Sequence, residues 1–122
     1  MAQASQLTIT EQEAGDVTTL MLSGQITLDD GDLALGQAVH DLVERGRQKI
    51  LLDLGGVSYI DSAGVGMMAG SLKTVRERGG DMKLVNLTTR GQRLFGMMKL
   101  QLVFEIFEDA DMAVRSFAYS TR

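Results

Sequence analysis

A short, almost continuous apolar run in the middle of the chain constrains the fold more than any other feature of the sequence. Residues 49–54 read KILLDL and lie between Gly46 and Gly55. A strand that is apolar on both faces is typical of the centre of a parallel sheet, which helices cover on each side. Parallel strands need long crossover connections, which are usually helical. The run therefore predicts an α/β domain with a partly parallel sheet.

The residues before this run predict a β-hairpin and then a helix. Residues 7–12 alternate apolar and polar, residues 17–22 are rich in β-branched and apolar side chains, and Gly15 lies between them. The acids within 29–32 favour a helix start, because negative charge stabilises a helix N-terminus. The apolar residues that follow at roughly helical spacing are Leu33, Leu35, Val39, Leu42 and Val43.

The residues after the run alternate between helices and strands. Helices are expected over about 62–78, 88–98 and 109–118, and strands over 82–87 and 102–107. With the hairpin, this order, β-β-α-β-α-β-α-β-α, predicts a mixed sheet of four to five strands with about four helices packed on it. The residues expected to pack the last helix are Met112, Ala113, Val114 and Phe117.

Length and composition limit the number of domains and the class of function. A chain of 122 residues predicts one domain, which we assign to 7–119, with 1–6 as a flexible N-terminus that does not resemble a signal peptide. No apolar run reaches the about 18 residues that membrane insertion requires. The chain has no cysteine, and its net charge of -4 argues against direct binding of nucleic acid. We expect a cytoplasmic protein.

The junction between the apolar strand and the next helix carries the residues of greatest functional interest. Ser62 directly follows Asp61 and is expected in the cap or first turn of that helix. One interpretation is that Asp61 or Ser62 only caps the helix. The other is that Ser62 is phosphorylated, because a helix N-terminus tolerates an anion and a phosphate adds about −1.5 to −2 charges. Such a phosphate would leave the helix folded and change only the surface that a partner meets.

Glycine is unusually frequent in the first half of the same helix. Gly64, Gly66 and Gly70 each cost about 1 kcal/mol relative to alanine in a helix interior. Gly66 and Gly70 share a face, because they are four residues apart. Missing side chains allow another backbone to approach closely. The glycines therefore predict either a docking face for a partner or close packing on the chain's own sheet.

These motifs resemble those of the STAS domain family, and in particular of its anti-sigma-factor antagonists. The resemblance is carried by the strand at 50–54, the sequence VSYIDS at 57–62 and the glycine-rich turn at 64–66, and the similarity covers about 7–119. It implies a single STAS-like α/β domain. In the family, the serine that directly follows the aspartate of this signature is the phosphoacceptor, which implies that role for Ser62.

The resemblance also implies function by partner switching. An unmodified antagonist binds an anti-sigma factor that is also a serine kinase, which releases the sigma factor and permits transcription. Phosphorylation ends this interaction, and a PP2C-type phosphatase restores it. No catalytic residue, cofactor or metal is implied, and we do not expect an enzyme. The partner-binding residues implied for this sequence are Asp61, Ala63, Gly64, Val65, Gly66, Met67 and Met68.

Three positions depart from the family's pattern. Ala63 stands where a second hydroxyl residue commonly follows the acceptor, which leaves Ser62 as the sole acceptor candidate in the loop. Gln25 and Thr27 stand where the early turn often carries acids that are expected near the phosphorylation site. This difference bears on recognition by a kinase and does not affect the predicted fold.

Two other functions stay open at this point. A non-switching STAS scaffold, of the kind found in a stressosome or a lipid transporter, would form a stable complex that is insensitive to the state of Ser62. A nucleotide-binding or nucleotide-hydrolysing domain would use 61–66 as an anion site, but that loop has no base, metal cluster or lysine. His40, the only histidine, is expected to be a structural residue at or near the surface, since it has no second histidine or cysteine with which to share a metal.

Overall fold

The computed structural model describes residues 6–119, and within this part of the chain five strands alternate with four α-helices. The segment 1–6, predicted to be flexible, falls outside the described residues except for Gln6. None of the described helices combines the length and the apolar character needed to cross a membrane. The elements are β1 (Leu7–Ala14), β2 (Val17–Ile26), α1 (Gly31–Glu44), β3 (Lys49–Ile60), α2 (Ser62–Glu77), β4 (Asp81–Val85), α3 (Thr89–Met97), β5 (Ile106–Phe107) and α4 (Ala110–Ser116).

The five strands form one sheet in the order β1-β2-β3-β4-β5. β1 and β2 are antiparallel, whereas the strands from β2 to β5 run parallel to their neighbours. Leu52 of β3 pairs with Leu20 on one side and with Leu84 on the other, and all three side chains are at most 1% exposed. The predicted mixed sheet is confirmed, and the apolar run lies at its centre because both edges of β3 are hydrogen-bonded.

Three helices cover one face of this sheet. Leu52 belongs to a large core cluster that also contains Leu35 of α1, Met68 of α2 and Phe95 of α3. Burial of these side chains holds α1, α2 and α3 against the sheet. Leu33 was expected to pack with them, but it is 56% exposed. It lies two residues before Leu35, so that the two side chains point to different sides of the helix.

The opposite face of the sheet is covered by α4. Leu51 of β3 packs there in a second cluster with Ala113 and Phe117, which confirms the packing role predicted for these two residues of the C-terminal segment. Met112, also expected to pack, is instead 57% exposed. Beneath α4, the ammonium group of the buried Lys83 lies 4.5 Å from the centre of the Phe117 ring. This cation–π contact contributes to holding the C-terminal segment on the sheet.

The prediction that the central strand ends at its second bounding glycine is wrong. β3 continues through the glycines at 55–56 and pairs with β2 up to the last residue of both strands. A β-carbon at Gly56 would lie 2.9 Å from the carbonyl oxygen of Leu22 in β2. Glycine therefore permits a close approach of two strands here and does not form a turn. As a result, one residue, Asp61, connects β3 to α2 in place of the expected loop.

The last strand is shorter than predicted. β5 contains only Ile106–Phe107, while Leu100–Leu102 form a short 3₁₀ helix. Leu100 and Phe104 are both buried, and the Phe104 ring centre lies 6.0 Å from that of Phe95. Because a spacing of four residues suits a helical turn, this apolar stretch buries its side chains as a turn and leaves only its end for the sheet.

Candidate phosphorylation and docking site

Ser62 is the first residue of α2, and it is exposed. No side chain or backbone group of the described residues forms a hydrogen bond with its hydroxyl group. The N-cap of α2 is Asp61, whose side chain accepts a hydrogen bond from the backbone of the helix. The capping role therefore belongs to Asp61, and the hydroxyl group of Ser62 is open to solvent at the start of a helix.

The carboxylate of Asp61 holds two segments of the chain together. One oxygen, Oδ1, accepts a hydrogen bond from the N–H of Gly64 in α2 at 2.9 Å. The other, Oδ2, accepts one from the N–H of Leu28, in the loop before α1, at 3.0 Å. These two bonds, the first above all, hold the pKa of Asp61 below its ordinary value of 3.8, because they favour the charged form. Asp61 thus fixes the loop after β2 beside the start of α2.

We expect this lowered pKa to make stability depend on pH. A carboxylate with a lowered pKa in the folded state stabilises the fold fully above its unfolded pKa, near 3.8, and this stabilisation is lost as pH falls through the lower folded value. Asp61→Asn cannot titrate, and it keeps only one acceptor oxygen, because the NH2 group that replaces the other oxygen is a donor. The difference in free energy of unfolding between wild type and Asp61→Asn, measured in urea, should therefore be constant above about pH 5 and shrink below about pH 4. A difference that stayed constant through this range would contradict the role of the charge.

Three of the residues predicted to contact a partner are buried. Gly64, Val65 and Met68 face the sheet, and Val65 and Met68 belong to the main core cluster. A β-carbon at Gly64 would lie only 2.1 Å from the carbonyl oxygen of Ile26 in β2. For Gly64, the structure therefore favours close packing on the sheet over a docking role.

The two other glycines of α2 have the opposite environment. Gly66 and Gly70 are exposed, and a β-carbon at either position would meet no atom within 4 Å apart from the neighbouring backbone of its own helix. Packing inside the domain does not explain their presence. Ser62, Gly66 and Gly70 follow one another at intervals of four residues, so they lie on one side of the helix. We refer to these three residues as the Ser62 stripe.

A groove between α1 and α2 borders the Ser62 stripe. Met67 of α2 is half-buried, and a β-carbon at Gly36 of α1 would lie 2.5 Å from its sulfur atom, so the glycine makes room for the methionine. The groove has a volume of about 380 Å³ and is open to solvent. We call it the α1–α2 groove, and it is lined by Leu33, Gly36, Gln37, Val39, His40, Met67, Gly70, Ser71 and Thr74.

Sequence reasoning missed the contribution of α1 to this surface. Leu33, Gly36 and His40 lie at i, i+3 and i+7 and form a helical face of their own, distinct from the residues that face the core. That spacing could have indicated a second apolar edge on α1. His40 itself is exposed, as expected for a surface residue, and its Nε2 atom lies 3.7 Å from the carboxylate of Glu44.

The loop after β2 lies beside the phosphorylation candidate, at the place where the family often carries acids. The bond from Leu28 to Asp61 fixes this loop. Thr27 donates its hydroxyl hydrogen bond to the Gln6 side chain. Asp29 and Asp30 follow in the same loop, so acidic groups are present a few residues beyond the positions where the sequence lacks them.

A model of the STAS domain family matches residues 8–113 of the chain. The chain belongs to the STAS domain family. The matched range of this STAS domain begins at the second residue of β1 and ends within α4. The assignment made from the motifs around Ser62 is therefore confirmed at the level of the family, and the single α/β domain with a five-stranded mixed sheet is confirmed as its fold.

Several relatives of this STAS domain are anti-sigma factor antagonists. The chain is 36% identical over 81 residues to the anti-sigma-B factor antagonist of Bacillus subtilis (strain 168), which covers 66% of this chain and 73% of that protein. Its fold matches an anti-sigma factor antagonist from Mycobacterium paratuberculosis with a TM-score of 0.83 at 19% identity, over 97% and 99% of the two chains. It also matches the Bacillus cell fate determinant SpoIIAA in the phosphorylated form, with a TM-score of 0.69 at 15% identity, over 89% and 98%. At such identities the two structures establish likeness of fold alone.

Proposed function

We propose that this STAS domain is an anti-sigma-factor antagonist that works by partner switching. While Ser62 is unmodified, the domain binds an anti-sigma factor that has serine kinase activity. Phosphorylation of Ser62 ends that interaction, and a PP2C-type phosphatase restores it, all in the cytoplasm. The observation that carries the proposal is an exposed hydroxyl group without a hydrogen-bond partner among the described residues, at the first position of a helix whose same side bears two exposed glycines.

The exposed glycines of α2 support a docking surface, because they lower the stability of the domain and no contact inside the domain explains their presence. Each exposed glycine in the interior of α2 costs about 1 kcal/mol relative to alanine. Neither Gly66 nor Gly70 gains a close internal contact in exchange. A partner that packs its backbone against the Ser62 stripe would use the space that the missing side chains leave. The members of the predicted partner-binding set that reach the surface are Asp61, Ala63, Gly66 and Met67, and the α1–α2 groove continues that surface.

The position of Ser62 suits a switch that leaves the fold intact. A phosphate at the first residue of a helix lies near the positive end of the helix dipole, which stabilises it by about 0.3–1 kcal/mol. Asp61 keeps its hydrogen bonds to Gly64 and Leu28, so the cap of α2 does not depend on the hydroxyl of Ser62. The charge and bulk of the phosphate would instead disfavour binding of a partner that covers the Ser62 stripe.

In the phosphoryl transfer, this domain supplies only the acceptor, the hydroxyl group of Ser62. The bond between the γ-phosphorus of ATP and its bridging oxygen breaks, a bond to Ser62 Oγ forms, ADP leaves, and a base supplied by the kinase takes the hydroxyl proton. The domain is the substrate of this reaction and not its catalyst. The relatives support the direction of the proposal, since the Bacillus subtilis protein is an anti-sigma-B factor antagonist and the Bacillus protein SpoIIAA is known in a phosphorylated form.

The proposal is tested by mixing the domain with anti-sigma factors of the serine kinase class from the same genome, beginning with those encoded in neighbouring genes. We expect wild type to bind before ATP is added, to gain one phosphate by intact-mass measurement, and then to dissociate. Ser62→Ala should bind, gain no phosphate and stay bound. Ser58→Ala is the matched control, because Ser58 is also exposed but donates its hydroxyl hydrogen bond to the carbonyl of Gly24 at 3.2 Å.

Two results would contradict the switch. Phosphate found on a residue other than Ser62 would remove the acceptor assignment. A complex that persists after complete phosphorylation of Ser62 would favour the non-switching scaffold instead.

A further inference from the structure

A second concave site, separate from the α1–α2 groove, lies between the carboxyl-terminal half of β3 and α3. It is a partly enclosed cavity of about 170 Å³. Leu54, Val57 and Ile60 of β3 line it, together with Leu87 and Leu94 on the α3 side. It therefore lies beside the carboxyl-terminal half of β3 and beyond the carboxyl end of β4, near the edge where open parallel sheets usually bind ligands. No part of the Ser62 stripe or of the α1–α2 groove lines this cavity.

The apolar walls of the cavity are accompanied by one cationic group. Arg90, in the first turn of α3, lines the cavity and is exposed. No acidic side chain among the described residues forms an ion pair with its guanidinium group, and no acid lines the cavity. The arginines at 45, 47, 76 and 78 have carboxylate neighbours within 4.0 Å, whereas Arg90, Arg93 and Arg115 have none among the described residues. Of these three unpaired arginines, Arg90 is the one that lines the cavity. An unpaired guanidinium beside an apolar cavity is complementary to a ligand with an apolar body and an anionic head.

We propose that this cavity binds a small amphipathic carboxylate, with its hydrocarbon part between β3 and α3 and its carboxylate at Arg90. The volume sets the size of the hydrocarbon part, since a protein cavity of about 150 Å³ lined by aliphatic side chains holds one benzene ring. The ligand is therefore a chain or ring of about six carbons. The guanidinium group can donate two parallel hydrogen bonds to a carboxylate, and the start of α3 favours negative charge at the same place.

Two residues that line the cavity are adjacent in sequence to Asp61 and Ser62. Tyr59 and Ile60 both line the cavity, and they directly precede Asp61 and Ser62. A bound carboxylate would contact residues next to the phosphorylation candidate without covering it. The binding proposal does not depend on phosphorylation, and it can be tested on the isolated domain without any anti-sigma factor.

The test is a titration of the whole chain with hexanoate, followed by the shifts of backbone amide signals in NMR spectra. We expect saturable shifts confined to the signals of residues 54–60 and 87–94, with a dissociation constant on the order of 1 mM. Acetate, which has the charge without the chain, and hexanol, which has the chain without the charge, should each bind at least about tenfold more weakly.

Two variants separate the head from the body of the ligand. Arg90→Gln should weaken binding of hexanoate by about tenfold and leave binding of hexanol unchanged. Arg93→Gln is the matched control, because Arg93 is an exposed arginine of the same helix that does not line the cavity, and it should bind hexanoate as wild type does. Leu94→Phe should fill the cavity and abolish binding of both ligands, with circular dichroism used to confirm that the variant is folded.

Several results would overturn the proposal. Shifts that do not saturate, or that are spread over the whole surface, would show that the cavity is not a binding site. If Arg90→Gln and Arg93→Gln weakened the binding of hexanoate equally, the loss of affinity would come from the change in net charge and not from a contact with Arg90. Unchanged binding by a folded Leu94→Phe variant would place the ligand elsewhere.

Discussion

Ser62→Asp is expected to weaken binding of the anti-sigma factor by about 100-fold while leaving the domain folded. The aspartate places a negative charge on the Ser62 stripe, next to the carboxylate of Asp61. A charge that is buried at an interface without an opposite charge to pair with costs several kcal/mol, and each 1.4 kcal/mol is a factor of about ten in affinity. The domain itself should lose no stability, because a carboxylate in the first turn of a helix interacts favourably with the helix dipole. Calorimetry with the purified anti-sigma factor measures the affinity, and thermal unfolding measures the stability.

A matched control comes from the other helix that begins with an exposed hydroxyl residue. Thr89 is the first residue of α3, it is exposed, and its helix is capped by the preceding Thr88. Thr89→Asp therefore adds the same charge in the same kind of position but away from the proposed docking surface. It should bind the anti-sigma factor as wild type does, and so should Ser62→Ala. If Thr89→Asp weakened binding as much as Ser62→Asp, net charge and not the position of Ser62 would be responsible.

Gly64→Ala and Gly66→Ala are expected to change stability in opposite directions, although the two glycines are neighbours on one helix. At Gly64 the new β-carbon would lie 2.1 Å from the Ile26 carbonyl oxygen, so backbone must move and the free energy of unfolding should fall by about 2 kcal/mol. At Gly66 the β-carbon meets no atom within 4 Å apart from the neighbouring backbone of its own helix. The free energy of unfolding should therefore rise by about 0.5–1 kcal/mol, as for alanine in place of glycine in an exposed helix. Urea unfolding of the two variants measures both changes.

The same pair of variants distinguishes stability from binding. If Gly66 is retained to let a partner approach, Gly66→Ala should be more stable than wild type and yet bind the anti-sigma factor more weakly. Gly70→Ala should behave in the same way, because its surroundings are equally open. A Gly66→Ala variant that was more stable and bound the partner with unchanged affinity would show that the open space at Gly66 plays no part in docking.

Most of the architecture could be predicted from local sequence patterns. The hairpin, the buried central strand and α2 each carry a periodicity that extends over several residues, and the apolar run KILLDL has few other ways to be buried. Thr88 caps α3 by accepting a hydrogen bond from the N–H of Gly91, as is typical of a threonine directly before a helix. The position of Ser62 at a helix start followed from the same kind of signal.

The predictions that were wrong concern segments whose structure depends on neighbours distant in sequence. The glycines at 55–56 indicate a turn when they are considered alone, but the length of β2 allows pairing to continue past them. The apolar stretch at 102–107 suggests a strand, but Phe104 is buried against Phe95 of α3, and the sheet receives only Ile106–Phe107. In both cases long-range packing overrides a weak local preference.

Local patterns along the chain were sufficient to predict the order of the elements, the burial of the central strand, and an aspartate and a serine at the start of α2. Only the tertiary structure distinguished Gly64 from Gly66, assigned the two hydrogen bonds of Asp61, and brought α1 beside the Ser62 stripe. The difference comes from how far along the chain the interacting residues lie from one another. Periodicity and capping act within a few residues and are visible in the sequence, whereas the free space around a β-carbon depends on which distant backbone the fold places next to it.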